Sequence, residues 1–410
     1  MNTTIQGSNT PTIFIIFGIT GDLAKAKLIP ALFNLYQKQQ LPDQFKVIGF
    51  ARRSFTNEEI RALLRPALEK LDATPESIEV FLEHVIYHQG HFDETERYKA
   101  LDDVVSGVER EFGVCTNKIL HLSVRPTHYD EVIDNIAQTQ IVHGCSDTVG
   151  WARILIEKPF GESSDTARAL DEKLRNIFQD EQIFRVDHYL GKGGVRDIEK
   201  FRFENGEMEA KWNKDSIEKI TVNLLESNDA DTRGAFYDAV GALRDVGQNH
   251  LLEMLAQVVM DNPEDRADIL KRLSLKEIVT RAQYEGFRDV EGVLEDSNTE
   301  TFFHVIANIE NDRWNGVAIH LISGKALDRS EANVTVDFKD GTKHVFIIQP
   351  VSSEVPDAYE NVFADAIVGE QKYFVSLDEV VASWDFIEKV EEVMKGTPLT
   401  YYKKGSKLDN

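Results

Sequence analysis

The chain has 410 residues, 42% of them apolar and 28% charged, which is ordinary for a globular protein of two or three domains. Its formal charge of −24 excludes the basic footprint that nucleic acid or an anionic membrane surface requires, so neither is expected as a partner. Two cysteines, Cys115 and Cys145, are too few for a disulfide framework or a zinc spacing, and they suit a reducing, cytoplasmic compartment.

The first part of the chain alternates two patterns. Residues 12–18 form a continuous apolar run, as a strand buried on both faces does, and 46–51, 84–88, 118–124 and 153–157 repeat it. Helical patterns lie between them at 57–71, 94–112 and 163–177. Such alternation predicts βαβ units on a parallel sheet, and it fades near residue 186. Beyond, a helix is expected over 244–260, then strands over 301–310, 316–322, 332–338 and 344–349. Asp340-Gly341 reads as the hairpin turn between the last two, so this sheet is expected to be largely antiparallel, with helices on one face.

Chemistry-bearing residues gather at the ends of the early strands. Gly18-Ile19-Thr20-Gly21 follows the first one. Glycines there let backbone N–H groups approach a pyrophosphate at a helix N-terminus, although G-x-x-G stands where G-x-G-x-x-G is usual. The alternative is a plain turn. After the second strand, Ala51-Arg52-Arg53-Ser54 offers two arginines and no acid, which favours the 2′-phosphate of NADP over the 2′-hydroxyl of NAD; a surface basic pair is the other reading. Glu157-Lys158-Pro159-Phe160-Gly161 ends a further strand where open α/β sheets bind ligands, and Pro159 holds the backbone of Lys158 extended.

The densest segment is Arg185-Val186-Asp187-His188-Tyr189-Leu190-Gly191-Lys192. Read as helix, it puts His188 and Lys192 on one face at i and i+4, two donors for a dianion, while Asp187 points elsewhere and can orient a distant base. A solvated charged turn is the alternative. Further on, Leu243, Gly247, His250, Met254 and Val258 share a stripe of helical period. A histidine on that stripe is either a satisfied core residue or a general base shielded from water and held by a carboxylate. In so acidic a chain, Lys27, Arg52, Arg53, Lys158, Lys192 and Lys325 stand out as a locally positive set for a phosphorylated ligand.

Together these segments resemble the glucose-6-phosphate dehydrogenase family. The matching runs are 18–27, 49–52, 157–161, 185–192, 244–250 and 323–327, in the family's order, with Asn311-Asp312-Arg313-Trp314 and Pro356-Asp357-Ala358-Tyr359 extending the likeness. The resemblance implies an α/β plus α+β fold, with a Rossmann-type dinucleotide domain over 1–186 and a substrate-binding and dimerisation domain over 187–410. It implies oxidation of glucose 6-phosphate at C1 to 6-phosphogluconolactone with hydride transfer to NADP, the first step of the oxidative pentose phosphate pathway, in a cytoplasmic homodimer without a metal. His250 would take the C1 hydroxyl proton, and Asp187 would orient its imidazolium. His188, Tyr189 and Lys192 would hold the 6-phosphate, Lys158 would bridge sugar and cofactor, Glu226 and Asp245 would bind sugar hydroxyls, and Lys325 a further sugar or phosphate oxygen. Gly18, Gly21, Lys27 and Arg52 would bind the dinucleotide, with Tyr129 near the nicotinamide.

Two rivals are weaker. Another sugar dehydrogenase with Glu-Lys-Pro at a strand end has no need of the 185–192 octapeptide. A non-catalytic nucleotide sensor has no use for Asp187 and His250. The chain also departs from the family twice. Ser330 stands where a second phosphate-binding basic residue is usual, with Arg329 one position before it. The stretch from Gln349 to Pro356 is short, which removes the region where some members hold a structural nucleotide, so none is expected here.

Overall fold

The computed structural model describes residues 10–144, 150–262, 266–348 and 357–408. They divide into two units, Met1–Gly191 with Asp357–Val375, and Lys192–Pro356 with Ser376–Asn410. Cys145 and the short stretch from Gln349 to Pro356 lie outside the described residues.

In the first unit the apolar runs become strands β1 (Thr12–Phe17), β2 (Phe45–Ala51), β3 (Val85–Gln89), β4 (Asn117–Leu122) and β5 (Ala152–Glu157). A sixth strand that the apolar pattern does not announce, β6 (Ile183–Val186), follows. Arg185 sits inside it, buried, because Asp171 pairs with its guanidinium. The order is β3-β2-β1-β4-β5-β6 with every pair parallel, the doubly wound arrangement of dinucleotide domains. Every residue of β1 and β4 is buried; β1 reads as an apolar run after Thr12, while β4 buries Lys118, paired with Glu109, and His121 among its apolar residues. The parallel register aligns Phe17 with Phe50 and Leu122, so the chain leaves β1, β2, β4, β5 and β6 along one edge, at residues 18, 52, 123, 158 and 187. Ligands bind open sheets of this kind at that edge, beside the point where strand order reverses.

The segment Asp357–Val375 belongs to this unit through the helix Ala358–Val368. Asp357 and Glu360 form its capping box. Phe363 and Ala366 are buried in the same apolar cluster as Phe14, Leu32 and Phe81.

The second unit holds seven strands: β7 (Ile217–Leu225), β8 (Leu273–Tyr284), β9 (Phe302–Ile309), β10 (Ala318–Gly324), β11 (Glu331–Phe338), β12 (Lys343–Ile347) and β13 (Thr400–Tyr402). Their order is β12-β11-β7-β10-β9-β8-β13. The sheet is largely antiparallel, with β7–β10 and β8–β13 the parallel pairs. Asp340-Gly341 does turn the β11–β12 hairpin, with the Asp340 carboxylate accepting from the Thr342 N–H. Along β7, Ile220, Val222 and Leu224 are buried and alternate with half-buried Lys219, Thr221 and Asn223, so one face is covered. The helical segment Leu243–Leu251 packs against β7 and β10, and the helix Leu377–Lys395 packs against β8.

Candidate active site

Gly18 opens the turn after β1 with φ of +87°, and its N–H donates to the Phe50 carbonyl at 2.7 Å. A Cβ there would lie 2.2 Å from the Ser123 carbonyl oxygen, so no other residue fits. Gly21 N–H then donates to the Gly18 carbonyl, and helical backbone begins at Asp22. Gly18→Ala is expected to cost about 1–3 kcal/mol from backbone strain alone, seen as a lower thermal midpoint; an unchanged midpoint would contradict the close approach. Arg52 extends beyond β2 with an exposed side chain that has no hydrogen bond or ion pair among the described residues. Lys27 is engaged instead, 2.9 Å from the Asp357 carboxylate and half exposed.

Tyr129 is buried, and its phenol donates to the Glu157 backbone carbonyl at 2.7 Å. Burial, with the Glu157 charge nearby, holds that phenol well above its ordinary range, so it stays neutral. The bond therefore ties the start of the helix Tyr129–Ile136 to the residue that precedes Lys158. Lys158 is half-buried and its bond to Pro159 is cis.

The octapeptide is not a helix. Residues 188–191 form a turn, and Lys192 is the N-cap of the helix Gly193–Phe203, with extended backbone (φ −72°, ψ 137°). The i, i+4 face expected of His188 and Lys192 therefore does not form. The cause is local: the Asp187 carboxylate accepts from the Tyr189 N–H at 2.9 Å, a side-chain turn that competes with helix. Asp187 is 1% exposed, Tyr189 is buried and His188 is half-buried. Gly191 completes the turn; a Cβ on it would sit 2.6 Å from the Ala358 carbonyl oxygen, and Asn361 donates to the Gly191 carbonyl at 2.8 Å.

In the second unit, Glu226 and Lys325 stand side by side just beyond the paired ends of β7 and β10, where Leu225 is opposite Gly324. The Lys325 ammonium is paired with the Glu226 carboxylate and lies 5.1 Å from the centre of the Tyr237 ring. Burial holds the Tyr237 phenol well above its usual range, and the charges of Asp245, Glu300 and Glu226 add to that. Glu226, Lys325 and Asp245 are thus gathered around Tyr237, a residue the sequence does not single out.

His250 is 3% exposed and lies in Leu243–Leu251, which is a π-helix rather than an α-helix. The wider turn lets the Asn249 amide reach back to the carbonyls of Arg244 and Asp245 at 3.3 and 3.1 Å. Arg329 is taken by its neighbours, paired with Glu331 and with Asp328 at 2.9 Å, while Ser330 bonds the Ser227 hydroxyl at 2.9 Å.

Residues 15–197 match the family description "Glucose-6-phosphate dehydrogenase, NAD binding domain", and 199–354 with 347–409 match "Glucose-6-phosphate dehydrogenase, C-terminal domain". This chain belongs to the glucose-6-phosphate dehydrogenase family. Among similar proteins, the cytoplasmic glucose-6-phosphate 1-dehydrogenase 6 of Arabidopsis thaliana is 33% identical over 96% of this chain and 88% of its own. The glucose-6-phosphate 1-dehydrogenase of Chlamydia muridarum is 31% identical over 93% and 90%. A solved glucose-6-phosphate dehydrogenase, described as in complex with its substrate glucose-6-phosphate, superposes with a TM-score of 0.89 at 29% identity, covering 97% of this chain and 95% of that one. The enzyme from Mycobacterium avium follows at 0.81 and 28%, over 96% and 95%. Family membership carries an oxidoreductase with a nicotinamide-binding domain, and the expected fold class agrees with these neighbours. Among the described residues no helix is long and apolar enough to cross a membrane.

Three polar side chains of the first unit are given no role by the motifs, although Glu157 and Tyr359 lie within them: His121 on β4, Glu157 on β5 and Tyr359 in the returning helix. His121 is wholly buried, and Glu157 accepts from the Tyr359 hydroxyl at 3.2 Å. The available signals were a histidine inside an apolar run and the Pro-Asp-Ala-Tyr likeness to the family.

Proposed function

We propose that the chain oxidises glucose 6-phosphate at C1 to 6-phosphogluconolactone with NADP as hydride acceptor, the opening step of the oxidative pentose phosphate pathway. The observation that carries this reading is the likeness, over 97% of the chain, to a dehydrogenase described with glucose-6-phosphate as its substrate. Bound NADP supplies the acceptor carbon for the hydride. The chain's own part starts with His250, which takes the C1 hydroxyl proton, with Asp187 as the carboxylate that orients its imidazolium. Removal of that proton raises electron density on C1 and favours loss of its hydride. Glu226 and Asp245 accept from sugar hydroxyls. Lys325 shares its charge between Glu226 and a sugar or phosphate oxygen. His188, Tyr189 and Lys192 take the 6-phosphate, and Lys158 fixes the sugar relative to the cofactor. The burial of Asp187 and His250 supports these two roles, because a shielded base is not levelled by bulk water.

For the dinucleotide, Gly18 and Gly21 bring backbone close to a pyrophosphate, Tyr129 holds the floor near the nicotinamide, and Lys27 stands at the outer rim in its ion pair. The unpaired Arg52 guanidinium, with no acid beside it, supports NADP over NAD. A charge-assisted hydrogen bond is worth about 1.5–3 kcal/mol, so Arg52→Ala is expected to weaken NADP by roughly ten- to a hundredfold and hardly alter NAD. Equal losses for both nucleotides would assign Arg52 to folding. The protein is further proposed to be a cytoplasmic homodimer, to be checked by sedimentation.

NADPH absorbance with a panel of free and phosphorylated sugars tests the whole reading. Activity is expected with glucose 6-phosphate far above free glucose. Equal rates would overturn the phosphate site and favour a dehydrogenase of unphosphorylated sugars.

A further inference from the structure

Behind the turn that carries His188 lies a buried set of acid–base side chains to which the proposed chemistry gives no part. His121 contributes an imidazole with no exposure, from β4. Its Nε2 is 3.2 Å from one oxygen of Glu157, close enough for an ion pair but not aligned for a hydrogen bond. The other Glu157 oxygen accepts from the Tyr359 hydroxyl at 3.2 Å. Tyr359, 4% exposed, then presents its ring to His188: the two planes are 9° apart, with centroids 6.2 Å apart, an offset stack. His188 also meets the Tyr189 ring, with centroids 5.0 Å apart and planes at 60°. The imidazole thus contacts two rings, one of them pinned at its far end by a buried carboxylate.

That arrangement matters because His188 stands on a turn rather than on a helix. A turn residue has no neighbouring helical side chains to restrict its rotamer. A histidine that donates to a phosphate oxygen has to be held within about 10–20° of the productive direction. The bond from the Asn361 side-chain amide to the Gly191 carbonyl fixes the turn itself. We infer that Tyr359 is a positioning residue for the sugar-phosphate end of the site: its ring holds the His188 imidazole in plane, and Glu157, backed by His121, holds Tyr359. The inference rests on the proposed reading that His188 receives the 6-phosphate. It adds a tyrosine from the returning segment, together with two buried groups, to what sets the enzyme's preference for phosphorylated sugar.

The test compares kcat/KM for glucose 6-phosphate with kcat/KM for free glucose in five chains: wild type, His188→Ala, Tyr359→Phe, Tyr359→Leu and the double variant His188→Ala with Tyr359→Leu. Tyr359→Met replaces the leucine variant if the latter does not fold. Losing an aromatic stack is expected to lower the phosphorylated-to-free ratio by roughly two- to tenfold in the leucine or methionine chain. The loss should fall in KM for the phosphorylated sugar, with kcat changed by less than about twofold, because the contact is remote from C1. Tyr359→Phe keeps the ring and is expected to rescue most of the ratio. Adding His188→Ala to the ringless chain should lower the ratio no further than His188→Ala alone. Equal losses on both sugars, or a ringless chain with the wild-type ratio, would overturn the positioning role, and a phenylalanine chain with the full wild-type ratio would remove Glu157 from it. If His188→Ala itself leaves the ratio unchanged, the phosphate reading fails first, and that result is distinct from a failure of Tyr359 alone.

Discussion

Replacing His250 by Asn is expected to lower kcat by about 10²- to 10⁴-fold, the usual contribution of a positioned general base. Asparagine keeps much of the volume and a donor, so sugar-phosphate binding should remain nearly intact. The loss belongs to the proton transfer because of where the residue sits. His250 is almost fully buried, in a helical segment whose neighbours Val246, Gly247, Gln248, Asn249 and Leu251 are also buried. A base there exchanges its proton with the substrate hydroxyl rather than with bulk water. Its backbone N–H is bonded to the Asn249 side chain at 2.8 Å, which fixes the residue locally without the imidazole. A chain that retains wild-type kcat would return His250 to the ordinary role of a core histidine.

The parts of the fold that sequence made legible are those in which one physical demand dominates. β1 is buried on both faces and so carries no exposed polar side chain; its apolar run marks it nearly to the residue. β6 is hidden because it is four residues long and carries Arg185, whose charge is cancelled by Asp171 from a separate helix. β8 is hidden for another reason: two irregularities, between Leu275 and Glu277 and between Ile278 and Thr280, break its two-residue period. The helix Leu377–Lys395 begins with a Ser376–Glu379 capping box that could have announced it.

Within the site, single residues at strand ends were legible because a parallel sheet delivers its carboxyl ends to one edge. Backbone geometry was not. The π-helical winding around His250 depends on bonds that residue spacing does not encode. The octapeptide turn depends on Asp187 capping the Tyr189 N–H, which competes with helix at close to equal cost. Tyr359 meets Glu157 across 202 positions of sequence, a pairing that only the folded chain creates.

The turn changes the case for Lys192 rather than removing it. The residue is no longer one of two donors on a helical face; it is the N-cap of the helix Gly193–Phe203 and has no side-chain capping bond. An ammonium at that position adds a full positive charge to the partial charge of the helix N-terminus, and both favour an anion. The Val195 and Arg196 N–H groups bond back to the Lys192 carbonyl at 3.1 and 3.2 Å, which holds the cap residue's backbone in place. Binding energy from a remote phosphate can be spent at the reacting carbon, so its loss need not be confined to KM. Lys192→Ala is therefore expected to raise KM for glucose 6-phosphate steeply and to lower kcat in part. The ratio of kcat/KM for glucose 6-phosphate over free glucose should fall by about ten- to a hundredfold, the equivalent of one charge-assisted hydrogen bond. Activity on free glucose should change little, because that substrate brings no dianion to lose a partner. Arginine in place of Lys192 should recover only part of the ratio, since a planar fork does not reproduce a compact point charge at a helix cap. An unchanged ratio in Lys192→Ala would remove this residue from the phosphate site, and with it the reading that the 185–192 segment recognises a phosphorylated sugar through its basic end.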